Sequence, residues 1–329
     1  MNSFEYANPN TVEEAVALLA SEWDETEVLA GGTDLVTSMK QWVAAPKRVV
    51  SLKNIKDLQG IEADEKQVRI GAMATLAELI ENEHIQKHYP ALITAARGVG
   101  SSQIINQGTV GGDLCQRPRC WYYRAGLGLL AQQNGKSLVK DGDNRYHAIF
   151  GNDGPAYFVN PSSLAPALIA LGATITVQGP QGKSREIKAG EFFQTPKSES
   201  EREYGLQPNE ILTHVTVPIS NLKNATYEVR ERQGLDWPLV AAAVAFNLDG
   251  ETASDVRVVL GHVAPVPWDV PSAAKALDGK NVTEESAAEC GETAATGAKP
   301  LSQNGYKAQL VRVAVKRAVL AATGKPMET

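Results

Sequence analysis

Apolar positions along the chain change their spacing several times, and each change marks an element. Val12, Ala15, Val16 and Leu19 repeat at helical spacing behind Thr11 and Glu14, whose T-x-x-E separation is a capping-box signal. Glu27-Val28-Leu29-Ala30 is a short apolar run that reads as a buried strand and stops at Gly31-Gly32. Leu35 to Trp42 reads as a helix ended before Pro46, and Arg48-Val49-Val50-Ser51-Leu52 as another strand. Strand, turn, helix, strand in that order predicts a small α/β unit with a partly parallel sheet.

A second unit begins near Ile55. Gln67-Val68-Arg69-Ile70 reads as a strand, and Thr75 with Glu78 forms a second capping box before Leu76, Leu79 and Ile80. Pro90 to Arg97 is a further predicted helix. Gly98 to Asp113, rich in glycine, serine and polar residues, is expected to be loop, and Gln116 to Asn160 is long and poorly periodic. Loops of that length inside a domain are usually functional or mobile. Leu164 to Leu171 reads as a helix, and strands Thr174 to Gln178 and Ser184 to Lys188 flank the turn Gly179-Pro180-Gln181-Gly182. Ile211 to Val217 resumes a strand. Beyond a boundary near Pro218–Asn224, Ala225 to Glu231, Leu239 to Leu248 and Val256 to Val263 read as antiparallel strands, before an Ala-rich helical end, chiefly Tyr306 to Ala322.

Composition narrows the class. The 329 residues carry 32 Lys plus Arg against 38 Asp plus Glu, a formal net charge of −6, so no basic excess points to nucleic acid. No apolar run reaches the ~20 residues that span a bilayer, and the first residues lack a signal-peptide pattern. Three cysteines, Cys115, Cys120 and Cys290, are too few for a disulfide scaffold and point to a cytoplasmic protein.

Two glycine motifs carry the chemistry. Leu29-Ala30-Gly31-Gly32-Thr33-Asp34-Leu35 lies between a strand and a helix, where glycine lets backbone N–H groups approach a phosphate and a helix N-terminus adds partial positive charge. Gln103 to Leu114 (QIINQGTVGGDL) again pairs glycines with a hydroxyl and amides. Two such loops in one α/β domain suit a two-sided clamp on a diphosphate; each alone is also an ordinary turn. Neither is a G-x-G-x-x-G fingerprint, and Gly182-Lys183-Ser184 is not a Walker loop.

AGGTDL followed by NQGTVGGDL resembles the flavoprotein (medium) subunit of molybdenum hydroxylases, the xanthine dehydrogenase / carbon monoxide dehydrogenase family. Asn160-Pro161-Ser162-Ser163-Leu164-Ala165-Pro166 is similar to the family's P-S-D-L-x-P segment, with Ser163 where Asp is usual. The resemblance covers essentially the whole chain. It implies an α+β fold: an FAD-binding domain of p-cresol methylhydroxylase type made of two α/β subdomains (1–54, and 55–219 with an insertion at 116–160), then a C-terminal α+β domain (220–329) of antiparallel sheet and helices.

By the same resemblance, Leu29, Ala30, Gly31, Gly32, Thr33, Asp34 and Leu35 would hold the pyrophosphate of FAD, and Gly100, Ser101, Gln103, Asn106, Thr109, Gly111, Gly112, Asp113, Leu114, Cys115 and Gln116 would line its second side. Ser162 would sit near the adenosine, Leu212 by the isoalloxazine ring, and Arg230 near that ring as a cation stabilising the reduced form. The implied partners are a molybdopterin-binding large subunit and a two-iron iron–sulfur small subunit, with NAD or another electron acceptor. A stand-alone flavin oxidoreductase and a scaffold that has lost FAD are the alternatives.

Cys115 to Arg124 resembles the insertion of the aldehyde oxidoreductase and 4-hydroxybenzoyl-CoA reductase subgroup, which can hold a four-iron cluster. Such a cluster needs four thiolates. Cys120 remains, but Gly126 to Asp141 has no cysteine and Ala156 stands where a ligand is expected, so the aromatic and arginine residues are expected to pack over the flavin or a partner instead. The five histidines show no metal-ligand spacing, Asp24-Glu25 reads as a solvated face, and Asp236-Trp237-Pro238 as a structural turn that could border the flavin.

Overall fold

The structure, a computed structural model, describes residues 1–232 and 234–325. The chain opens with β1 (Glu5–Ala7), α1 (Val12–Ala17), β2 (Thr26–Leu29), α2 (Leu35–Lys40) and β3 (Arg48–Ser51). The strands form a parallel sheet in the order β1-β3-β2, so β2 is an edge. Thr11 caps α1 by accepting from the Glu14 amide at 3.1 Å. The Glu14 carboxylate reaches back one residue further than a capping box requires, to the Asn10 amide at 2.8 Å.

Next come β4 (Ile61–Ala63), β5 (Gln67–Gly71), α3 (Leu76–Glu81), α4 (Glu83–His88) and α5 (Pro90–Arg97). The second capping box is complete, with Thr75 and Glu78 satisfying each other's amides. The segment expected to be loop from Gly98 to Asp113 instead holds two short helices, α6 (Ser102–Gln107) and α7 (Val110–Leu114). Ser101 and Thr109 cap them through side-chain oxygens, a local signal that the glycine content masked.

The insertion carries only α8 (Trp121–Arg124) and a small hairpin, β6 (Gln132–Gln133) and β7 (Lys136–Ser137). Then α9 (Leu164–Ala170), β8 (Thr174–Gln178), β9 (Ser184–Lys188), α10 (Ala189–Phe192) and β10 (Ile211–Pro218) complete an antiparallel sheet in the order β4-β5-β10-β8-β9. A register shift falls between Leu212 and His214.

The last part holds β11 (Lys223–Val229), β12 (Val240–Asp249), β13 (Thr252–Gly261), β14 (Trp268–Asp269), α11 (Pro271–Leu277), α12 (Glu284–Ala294) and α13 (Tyr306–Ala322). Its four strands pair antiparallel in sequence order. β12 is apolar without alternation because both of its faces are buried. Ala243 and Ala245 join the core of the second sheet with α5 and α9, while Ala242, Val244 and Phe246 face the core beneath α11–α13. Asn224 ties the join: it accepts from the Ala91 amide and donates to the His88 carbonyl, both at 3.0 Å. No helix among the described residues is long and apolar enough to cross a membrane.

The α12–α13 packing depends on Gly291. A Cβ there would collide with the Arg312 carbonyl on α13. Gly291→Ala forces the two helices apart and is expected to cost about 1–3 kcal/mol, read as a lower urea midpoint than wild type.

Candidate functional site

In open parallel sheets, ligands gather beyond the carboxyl ends of the strands, where loops are free to shape a crevice. Beyond the end of β2 lies a cavity of about 580 Å³ that also runs along this edge strand, past Thr26, Glu27 and Val28. Of the residues singled out in the sequence, Ala30, Gly31, Gly32, Thr33, Asp34 and Leu35 form one wall. Gly100, Thr109, Gly111, Gly112, Asp113, Cys115 and Gln116 form a second, and Leu212 lies between.

The two walls touch. A Cβ on Gly31 would overlap the Gln107 carbonyl, so only glycine permits this approach, and Gly32 has φ +77°, the left-handed region that glycine adopts freely. Among the described residues, the N–H groups of Ala30, Gly31, Gly32 and Thr33 donate to nothing within the chain. The second loop is different. Its amides are used internally: Val110 donates to Ala74 O (2.9 Å), Gly111 to Ala72 O (2.8 Å) and Gly112 to Thr109 Oγ1 (3.1 Å). One loop therefore supplies donors and the other supplies a close-fitting wall.

Seven of the singled-out residues do not line the cavity. Leu29 closes β2 behind it. Ser101 is occupied in capping α6, and Gln103 and Asn106 lie on the exposed side of that helix, with Asn106 donating to Ser102 O at 2.7 Å. Leu114 is part of the main hydrophobic core. Ser162 is buried and donates to Asp113 at 2.5 Å. Arg230 is turned away, donating to the Gly98 carbonyl and to the Glu228 carboxylate. Glu228 explains this: burial pushes its carboxyl up to about 7, against the pull of Arg230, and the guanidinium is its nearest counter-ion.

Both aspartates of the motifs are turned into the protein. Asp34 accepts from the Arg117 amide (2.9 Å) and pairs with Arg119 (2.7 Å) and Arg124 (2.9 Å). Burial alone would raise its carboxyl pKa, but the two guanidiniums outweigh burial and hold it below the usual carboxylate range. Asp113 accepts from Ser162 Oγ, from the Leu164 amide at 3.1 Å and from Gln116 Nε2 at 3.0 Å, so it caps α9. Burial raises its carboxyl despite those bonds.

The insertion folds over the cavity, with Arg117, Arg119, Tyr123 and Leu129 in its lining. Arg119 stacks 4.6 Å from the centre of the Trp237 ring. Asp236 and Trp237 also line the cavity, as do Asp24, Trp23, Glu27, Arg202 and Tyr204. Asp24 keeps the solvated face expected of it, with its side chain 76% exposed, while one of its oxygens pairs with buried Arg202 at 2.7 Å. Trp23, Glu27, Arg202 and Tyr204 bear no motif, since they come from distant parts of the chain. Cys115 faces the cavity as a neutral thiol, its pKa pushed up to about 12 by burial, while Cys120 sits 3.2 Å from His147 Nε2. Among the described residues, no group of three or more His, Cys, Asp or Glu is arranged to hold a metal ion.

The family described as the FAD binding domain in molybdopterin dehydrogenase matches residues 2–220. The chain belongs to this family. The CO dehydrogenase flavoprotein C-terminal domain matches residues 225–322. The aldehyde oxidoreductase FAD-binding subunit PaoB of Escherichia coli (strain K12) is 30% identical over 316 residues, 95% of this chain and 96% of that protein. The carbon monoxide dehydrogenase medium chain of Hydrogenophaga pseudoflava is 29% identical over 324 residues, 97% and 96% of the two chains. A solved structure of carbon monoxide dehydrogenase from Hydrogenophaga pseudoflava, lacking the Mo-pyranopterin moiety of its cofactor, aligns with a TM-score of 0.77 at 28% identity, covering 98% of both chains.

The cofactor of this family is FAD, and the cavity fits it. Four consecutive unpartnered amides suit a diphosphate, which brings the acceptors they lack. The glycines leave no Cβ in the way, and the volume lies within the ~300–1,000 Å³ range of small-molecule sites.

Asp34 joins the insertion to the amide loop. Asp34→Asn is expected to lower stability at pH 7 by about 1–3 kcal/mol, because Arg119 and Arg124 lose their shared anion. The folded pKa lies below the unfolded value of ~3.9, so the carboxylate's contribution is complete above that value and is lost as pH falls toward the folded pKa. Thermal melts against pH should converge for wild type and variant at the acid end; equal melts at pH 7 would disprove the tie.

Proposed function

We propose that this chain is the electron-transfer subunit of a molybdenum hydroxylase complex, holding FAD in the cavity beyond β2. Electrons would arrive from iron–sulfur centres of a small partner subunit, after a molybdopterin-binding large subunit oxidises the substrate, and leave to NAD or another acceptor. The observation that carries this reading is the row of free amides at residues 30–33, set against a wall with no room for side chains. The match to medium-chain relatives along their full length supports the partners. Three free cysteines suit the cytoplasm.

FAD bound there supplies a carrier that exchanges electrons singly or in pairs. The protein's own residues do the rest. The amides of 30–33 and the Thr33 hydroxyl bind the diphosphate. Asp34, beside them, does not repel it, because its charge is engaged by two arginines. Apolar Val99 and Leu212 line the cavity and suit the flat ring, while Arg117, Tyr123 and Leu129 of the insertion screen it from water.

The test is the absorption spectrum and iron content of the purified chain. Flavin bands that bleach with dithionite, in a protein without iron, are expected. Gly31→Ala should lose FAD by at least tenfold in affinity while keeping its circular dichroism, since its methyl pushes the amide loop off Gln107. A colourless chain that takes up no added FAD would leave only a scaffold.

A further inference from the structure

Glu27 lies within β2, on the edge of the first sheet, and lines the cavity. Among the described residues, nothing donates a hydrogen bond to its carboxylate. Two guanidiniums are close, but each is committed elsewhere: Arg117 Nε to Glu203 at 3.1 Å, and Arg202 to Asp24 at 2.7 Å. Burial pushes the Glu27 carboxyl up, and Arg117 and Arg202 pull it back. Glu27 is half-buried in the open cavity, so a ligand that covers its carboxylate and shuts out water must bring a donor in exchange.

The diphosphate cannot be that ligand group, since both are negative. Glu27 precedes Ala30 by three residues, which places it ~10 Å along the strand from the amide row at 3.3 Å per residue. That is the reach of a nucleoside beyond its phosphate. The surroundings are flat and aromatic. Trp23 meets Tyr204 edge-on with ring centres 6.3 Å apart, and the Arg202 guanidinium lies 4.7 Å from the Trp23 ring centre. Such faces suit a heteroaromatic ring.

We propose that Trp23, Glu27, Arg202 and Tyr204 form the adenine subsite, in which the Glu27 carboxylate accepts a hydrogen bond from the adenine amino group. This rests on the FAD reading above. Glu27 then sets specificity: it selects a base with a donor at that position and repels one with a carbonyl oxygen.

The experiment titrates the full-length apoprotein with FAD and with the flavin dinucleotide whose adenine is replaced by hypoxanthine, following flavin fluorescence. The analogue presents an acceptor where adenine presents its amino group. Wild type should bind FAD about tenfold or more tightly than the analogue. Glu27→Gln, whose amide can donate to the oxo group, should narrow or reverse that preference. Equal binding of both ligands by wild type overturns the assignment without any variant, and so does a Glu27→Gln protein that weakens both ligands by the same factor. Failure of wild type to bind either ligand would instead sink the FAD reading itself.

Discussion

The absence of a side chain at residue 31 is the constraint on which the site depends. The backbone there lies against the Gln107 carbonyl, in a gap that even a methyl group would overfill. That contact brings the loop after β2, in the parallel sheet, against the α6–α7 segment, which belongs to the antiparallel half. The cavity is the space the two leave between them. With the second loop's Val110, Gly111 and Gly112 amides engaged by Ala74, Ala72 and Thr109, residues 30–33 supply a consecutive row of free donors. A rigid wall and a free donor row are thus one consequence of one close approach.

Charge is arranged around that row by burial and pairing. Two aspartates flank the glycine motifs, where an unpaired carboxylate would oppose a diphosphate. Asp34 is drawn to Arg119 and Arg124, and Asp113 to the start of α9. The same Asp34 bonds hold the insertion down on the cavity. The insertion has little secondary structure of its own, so its order rests on such side-chain ties and on the small cluster of Tyr123, Leu129, Leu130, Ala156 and Phe158. Arg230 fits the same logic from the other side. It serves a buried glutamate, not the cavity, and its removal would leave Glu228 unpaired in the interior.

Much of the architecture was legible where local chemistry and pattern agreed. The capping box at Thr75 and Glu78, the helix opened by Pro90 and the long helix from Tyr306 to Ala322 stand where their spacing placed them. The segment from Gly98 to Asp113 has a loop's glycine, serine and amide content, yet side-chain caps at Ser101 and Thr109 start two short helices within it. For the site, the AGGTDL and TVGGD runs lead to the cavity because glycine is needed where backbones must approach. Ser162 and Leu114 lie within the same motifs yet support the walls from behind, since a motif marks a segment and not which way each side chain turns.

The amino-acid sequence by itself determined the two glycine loops, because those rest on local backbone freedom, and the motifs they form carried the resemblance that implied the family and FAD. Only the tertiary structure decided which loop keeps its amides free, that Asp34 faces the insertion's arginines, and that Trp23, Glu27, Arg202 and Tyr204 share one end of the cavity. Those depend on residues nearly two hundred positions apart being packed together. Packing over such separations is set by the summed burial of the whole core, which no local pattern encodes.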